Sequence, residues 1–425
     1  MAADNGNTSK IYQTIPLVTT QPDVDLGIMI GLFPVWWLLG LEQFIWPVLF
    51  LALSVKIIVL RKGKVIFPNI LAIFTLFLTF QVISAFAALS NETIQSWFVF
   101  LRNFAAFVTA YLAFFILVNA FHTWQQLKRL IVTVVLVMGF TALIGILAII
   151  GVLRVNFPSP SFSLLPSWLR AGEALDTLLR RSLGRNAFFL SIRYYRLRNF
   201  FRFPTLYATT LLMAIPFTMF VLRIVKRRSH KIVLSLLTIF LFINLIFTTS
   251  RAASVSLVLG FLFFYGVTKK NQKILKWAGV FLVLIVIGIF LLIDQRYTNL
   301  VEDFLTTRST GERLSLYVTT LNYWLERPFL GWATSQRFEA SGLNLALGSH
   351  SLYLYTLFRY GLIGFLLLSA IYLVLWFQTR PRENNDDNVE AMDQIYSLLQ
   401  YGRWILVGVF LDGMATSPIT DMSTT

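Results

Sequence analysis

An all-α integral membrane protein is the fold class this sequence predicts, with about eleven transmembrane helices and two long external loops containing short amphipathic helices. Two observations predict it. Hydrophobic residues make up 57% of the 425 and the mean hydropathy is +0.71, far outside soluble composition. Only 13% of residues are charged, and they gather between apolar runs of about 20 residues, the length that crosses a hydrocarbon core. A formal net charge of +16 would suggest nucleic acid in a soluble chain. Here the basic residues occupy short loops between spans, as membrane topology requires, so nucleic acid is not an expected partner. The chain has no Cys and three His, at 122, 230 and 350. Thiolate chemistry is excluded, the histidines are too scattered for a His-rich metal site, and neither metal nor cofactor is expected.

Taken in order, residues 1–25 form a polar cytoplasmic tail without the features of a secretory signal. The amino-terminal spans fill 26–153. The run 26–60 is too long for one span and divides into two near residues 40–43, closing on the basic turn of Arg61, Lys62 and Lys64. Further spans read at about 65–89, 97–120 and 130–153, with His122 and His230 in cytoplasmic loops as solvated residues. Residues 154–204 form a long periplasmic loop. Within it Trp168, Ala171, Leu175, Leu178, Leu179 and Leu183 recur with helical period, which predicts an amphipathic helix on the membrane surface. The central spans, 205–293, comprise 205–224, 232–249, 252–267 and 275–293. The second periplasmic loop, 294–349, contains a capping box from Ser309 to Glu312, then Leu314, Tyr317, Leu321, Trp324 and Leu325 at helical spacing. That predicts a helix over about 310–326, stopped by Pro328. A His-bearing span at 350–377, a cytoplasmic linker at 378–403, and a short last span with its tail at 404–425 complete the chain.

The charges are sorted by type. Every Lys falls on the inner side, whereas loop 154–204 carries nine Arg (154, 170, 180, 181, 185, 193, 196, 198 and 202) and no Lys. The second loop adds Arg296, Arg308, Arg313, Arg327 and Arg337, again without Lys. External Arg runs against the positive-inside rule and calls for a ligand. Guanidinium forks bind phosphate bidentately, and anionic lipid headgroups are the blander occupant. Arg251, in a very short turn between two apolar runs, must face a polar cavity or snorkel to the surface. Arg313 would add its fork to the partial positive charge of a helix amino terminus, with Glu312 opposing it or pairing with it. On a helix, His350 would share a face with Tyr353, Leu357, Gly361 and Gly364, either as a reactive group or as an interfacial anchor. The sequence holds no phosphate-binding Gly loop, Ser-His-Asp pattern or metal-ligand cluster. Several Arg and one His suit a substrate whose leaving group is already a diphosphate: Arg neutralises the departing charge and His accepts a proton from the attacking hydroxyl.

The residues His350-Ser351-Leu352-Tyr353-Leu354, followed by Gly361-Leu362-Ile363-Gly364, resemble the H-N-x-Y-L…G-L-I-G signature of the O-antigen ligase and Wzy-type O-antigen polymerase superfamily. Arg313…Tyr317 and Arg327-Pro328-Phe329-Leu330-Gly331 resemble its R-x-x-x-W…H-P-L-x-G segment. Ser250-Arg251-Ala252 resembles its S-R-G/A turn, and Arg196…Phe201…Pro204…Ala208 a looser pattern before a span. Ser351 stands where Asn is usual, Tyr317 where Trp is usual, and Arg359 where Glu is common.

The resemblance implies a bacterial inner-membrane glycosyltransferase, inverting and independent of metal, with its active face in the periplasm. It would move a glycan from undecaprenyl diphosphate to a sugar hydroxyl in cell-surface polysaccharide or lipopolysaccharide assembly. By position it assigns catalysis to His350, Arg313 and Arg251, and diphosphate binding to Arg196, Arg198, Arg202, Arg251 and Arg313. The implied partners are a lipid-linked glycan donor, a glycan or lipid-core acceptor, the bilayer, and other polysaccharide-assembly proteins. A transporter or flippase of the same superfamily is the alternative. Its sign would be charged or broken helices deep in the membrane, for which Arg359 and Asp412 are the candidates.

Overall fold

The computed structural model describes residues 22–42, 44–90, 94–164, 179–189, 192–267, 308–334, 337–340, 343–379 and 389–415. The expected span at 275–293, most of the amphipathic helix at 168–183, and most of the polar tail lie outside these residues. The architecture is all-α and largely helical. Among the described residues six helices are long and apolar enough to cross a membrane, seven if one bent pair counts as a span, and the expectation of about eleven is corrected accordingly. The chain is a multi-pass membrane protein.

The overcount has local causes. Residues 26–60 form three short helices, α1 (Pro22–Gly31), α2 (Phe33–Leu39) and α3 (Ile45–Leu60). The first two meet at a 49° bend, where Pro34 enters the first turn of α2 and cannot extend the preceding ladder. Gly40, at φ +81°, ends α2 in the left-handed conformation. The next spans agree with expectation: α4 (Asn69–Leu89), α5 (Ile94–Ala120) and α6 (Trp124–Ile149). The last of these starts early because Thr123 and Gln126 form a capping box. After the first long loop come α8 (Pro204–Ile224), α9 (Arg228–Thr248) and α10 (Arg251–Val267); the apolar part of α10 is too short to count as a full span. α11 (Arg308–Glu326) covers the helix expected over about 310–326, and α12 (Leu352–Gln378) is the span expected to bear His350, which begins two residues after it. The supposed last span is the second half of α13 (Val389–Ala415). Asp393, Arg403 and Asp412 are spread along it.

In its described residues the first long loop holds α7 (Pro160–Leu164) and strands, with the end of the expected 168–183 helix at Arg180–Ser182 in a strand. Strand β1 (Asn156–Pro158) pairs antiparallel with β2 (Arg180–Ser182), and β3 (Gly184–Phe189) with β4 (Ile192–Leu197). The second contains the antiparallel pair β5 (Arg337–Ala340) and β6 (Leu343–Ala346). Two large apolar cores hold most of the helices, and a further one joins α1, α3, α4, α5 and α6 around Leu53, Ile57 and Ile116. The larger joins α6, α8, α9, α10 and α13 around Tyr207, Leu211, Leu241, Leu257 and Trp404. The smaller joins α4, α5 and α12, where the rings of Phe77 and Phe107 meet edge-on at 5.2 Å and Tyr360 stands 6.1 Å from Phe77. Val48, Leu51, Val55 and Val59 on α3 face outward, as lipid contact requires.

Candidate active site

The site grows from the junction between the second loop and α12. Ser351 is the N-cap, its hydroxyl accepting from the Leu354 N–H at 3.3 Å. His350 precedes that cap and is not on the helix, so the face expected to run from it through Tyr353 to the glycines does not form. Tyr353 instead reaches α13, its hydroxyl donating to the Phe410 carbonyl at 2.8 Å. His350 adopts φ +68°, the left-handed region in which a non-Gly residue costs about 1–3 kcal/mol and persists only when its surroundings fix it.

Helix α11 supplies that fixing. The Tyr317 hydroxyl donates to the His350 carbonyl at 3.2 Å. One turn on, the Thr320 hydroxyl accepts from the Gly348 N–H at 3.0 Å while donating to the Leu316 carbonyl at 2.6 Å. Leu316, Leu347 and Phe358 close an apolar plug beneath the loop, with Trp332 packed against it. The backbone around His350 is thus pinned from α11, while its side chain stays half-buried. Arg313 lies one turn before Tyr317 on the same helix; its side chain is outside the described residues.

Below the junction α12 is broken. Gly361 has φ +61° and ψ −167°, a combination available essentially to Gly alone. The freed backbone groups are taken up by the segment after α11: Trp332 N–H donates to the Phe358 carbonyl at 3.0 Å, Ala333 N–H to the Arg359 carbonyl at 2.7 Å, and Leu362 N–H to the Pro328 carbonyl at 2.7 Å. A side-chain carbon on Gly361 would stand 2.2 Å from the Phe329 oxygen, and one on Gly331 2.4 Å from the Arg359 carbonyl carbon. The two glycine motifs are therefore opposite halves of one backbone clamp. Arg359 is fully buried within it, its guanidinium lying 4.4 Å over the Tyr355 ring. The Ser84 hydroxyl on α4 reaches the clamp too, donating to the Leu330 carbonyl at 2.5 Å.

The arginines form a second group. Arg196, on β4, donates through Nε to the Thr248 carbonyl at 3.2 Å, tying the strand to the end of α9. Thr249 there is left-handed at φ +54°, and Arg251 follows, exposed, as the first residue of α10. Arg198 spends its guanidinium on backbone oxygens: Nε to Ser182 at 2.9 Å, and the two terminal nitrogens to Arg202 at 3.3 Å and Arg180 at 3.4 Å. Arg202 lies 4.8 Å over the Phe203 ring. Burial, then the neighbouring Arg102 charge and the weaker Arg198 charge, pull Arg202 down to about 10, with Glu42 partly opposing them. Its Nε has no hydrogen-bond partner among the described residues. Burial pulls Arg198 down as well.

Sequence reasoning missed three parts of this group. Arg181 pairs with Glu42 at 2.6 Å, both buried, so it is already neutralised. Arg102 enters from α5. Asn199, at φ +51°, anchors the turn: its amide donates to the Thr141 carbonyl at 2.6 Å and to the Tyr207 hydroxyl at 3.2 Å, and Tyr207 passes on to Asn244 at 2.9 Å. The only local signal for Asn199 was its residue type, since Asn tolerates the left-handed region. The site residues thus fall into two sets, His350 with the Arg313-bearing helix, and Arg196, Arg198 and Arg202 beside the turn before Arg251. Among the described residues no group of three or more His, Cys, Asp or Glu could hold a metal ion.

Residues 236–369 match the model of the family described as O-antigen ligase. The matched segment begins in α9, takes in Arg251, Arg313, His350 and the whole backbone clamp, and ends in α12. It stops short of the arginine turn at 196–202. No curated protein matches the chain.

Proposed function

We propose that the chain is a glycosyltransferase of the O-antigen ligase or polymerase type, acting at the periplasmic face of the bacterial inner membrane. The observation that carries this reading is the family match over the loop in which α11 pins a strained His350 at the head of a broken membrane helix. In the reaction the His350 imidazole takes the proton of an acceptor sugar hydroxyl. The oxygen attacks the anomeric carbon, and the bond from that carbon to the diphosphate breaks. Undecaprenyl diphosphate leaves with the bonding electrons, its charge met by Arg202, Arg251 and Arg313. Attack opposite the leaving group inverts the anomeric centre.

Membrane vesicles supplied with carrier-linked glycan and candidate acceptors test the proposal. Transfer should depend on His350 and Arg251, and undiminished transfer by His350→Ala would remove the proposed base. One observation favours a transporter instead, the membrane helix broken at Gly361 with Arg359 buried beside it. Yet the freed backbone groups there are closed by the 328–333 clamp, which favours a fixed break over a moving gate. Uptake or flipping that survives loss of His350 and Arg251 would support the transporter.

A further inference from the structure

A groove of about 680 Å3 lies between α1 and α6, far in sequence from every residue assigned a role above, and lined by Asp23, Val24, Gly27, Ile28, Gln125, Lys128, Arg129, Leu130, Val132 and Thr133. We propose that it binds the headgroup and upper acyl chain of an anionic glycerophospholipid, with the lipid phosphate on Lys128 and Arg129 and the chain along Val24, Ile28 and Val132. The inference stands independently of the transferase reading.

The chemistry of the walls divides as such a ligand requires. Ile28 is 56% exposed on a helix beside the bundle, an apolar surface continuous with what lipid tails cover. α1 lies against α6 at Gly27, where a side-chain carbon would stand at ordinary contact distance, 3.9 Å, from the Thr133 hydroxyl. The cations stand above this apolar floor in the first turns of α6. There the helix's own partial positive charge disfavours them and favours an anion beside them. Neighbouring charges at this end of the bundle are already engaged: Lys56 holds Asp25 at 2.6 Å, and Arg61 contacts His122. Lys128 and Arg129 make no ion pair among the described residues. Asp23 is the one carboxylate in the lining and leaves the groove net positive. A basic pocket between membrane helices, with an apolar wall and a volume in the usual range for ligand sites, is the arrangement that retains anionic lipid headgroups.

The test is native mass spectrometry of the full-length protein in detergent, titrated separately with phosphatidylglycerol and phosphatidylcholine. Wild type should retain phosphatidylglycerol in preference to phosphatidylcholine. Lys128→Ala/Arg129→Ala should lose about ten-fold in that retention. Val24→Trp, which fills the apolar wall without changing charge, should weaken both the retention and the rise in thermal midpoint that phosphatidylglycerol produces in wild type. Arg227→Ala/Arg228→Ala, two cations at the start of α9, should leave retention unchanged. Equal retention of the two lipids, or equal loss in the Arg227/Arg228 control, would overturn the site. So would preferential retention of an undecaprenyl phosphate, or displacement of the lipid by millimolar inorganic phosphate alone.

Discussion

The histidine junction and the arginine turn solve the same problem, holding a polar group at the edge of a membrane, by opposite means. At the arginine turn the side chains do the holding. Arg198 gives its nitrogens to three carbonyls, and the Asn199–Tyr207–Asn244 chain locks the backbone to three helices. At the histidine junction it is the backbone that is held, since Tyr317, Thr320 and Ser351 all bond main-chain atoms. A cation that satisfies carbonyls is mostly architecture, whereas an imidazole carried on a pinned, strained backbone is positioned to react.

The sharpest way to break this contrast is His350→Ala. Loss of a general base lowers transfer by about 10²–10⁴-fold, measured as product formed from carrier-linked glycan in vesicles, with little change in thermal midpoint. The acid limb of the pH–rate profile should vanish in the same variant. The arginines cannot supply that limb, because even Arg202, lowered to about 10, stays charged throughout the neutral range. His350→Gly should be equally inactive yet at least as stable as wild type, since Gly accepts φ +68° without strain. A large stability loss in both variants would make the histidine architectural after all.

Gly361→Ala is the next largest effect and falls on stability. The side-chain carbon would meet the Phe329 oxygen at 2.2 Å in a backbone region reserved for Gly, costing about 3 kcal/mol or more. The measurable outcome is a sharply lowered thermal midpoint or loss of folded protein in detergent. Within the arginine group, Arg202→Ala should lower transfer about ten-fold by raising the donor KM, because it removes an anion partner. Arg198→Ala should instead lower the thermal midpoint, because it removes three bonds that tie main-chain carbonyls of the loop together. Identical phenotypes for the two would erase the division between ligand-binding and architectural arginines.

The sequence made the membrane class and the α4, α5, α6, α8 and α9 spans legible, because hydropathy over about 20 residues reports burial in lipid directly. It also placed α11 through the helical spacing from Leu314 to Leu325, although the helix begins at Arg308, ahead of the Ser309–Glu312 pattern expected to cap it. Span count was not legible: a window reads apolarity, while the bend before Phe33 and the start of α13 at Val389, well before its apolar part, depend on where a helix starts and stops. The strands at Arg180–Ser182 and Gly184–Phe189 were hidden because, among polar and Arg-rich residues, neither helical nor alternating period dominates. Arg359 was a puzzle in sequence because its meaning is long-range. The partners of its backbone, Ala333 and Ser84, belong to other elements, and only the fold reveals the glycine motifs as two sides of one contact.

Tyr317→Phe gives the smallest and most discriminating effect. It removes one hydroxyl, and with it the bond to the His350 carbonyl at 3.2 Å, while keeping the ring that packs α11. A neutral hydrogen bond is worth about 1 kcal/mol net, so transfer should fall by roughly five-fold. The loss should appear in kcat with the donor KM unchanged, since a loosened base misaligns the proton transfer without weakening diphosphate binding. The thermal midpoint supplies the second readout. In wild type the bond opposes the left-handed strain at His350, and in His350→Gly that strain is absent, so Tyr317→Phe should destabilise the His350→Gly background less than wild type. Full additivity across that double-mutant cycle would mean that Tyr317 does not hold the histidine in its strained conformation.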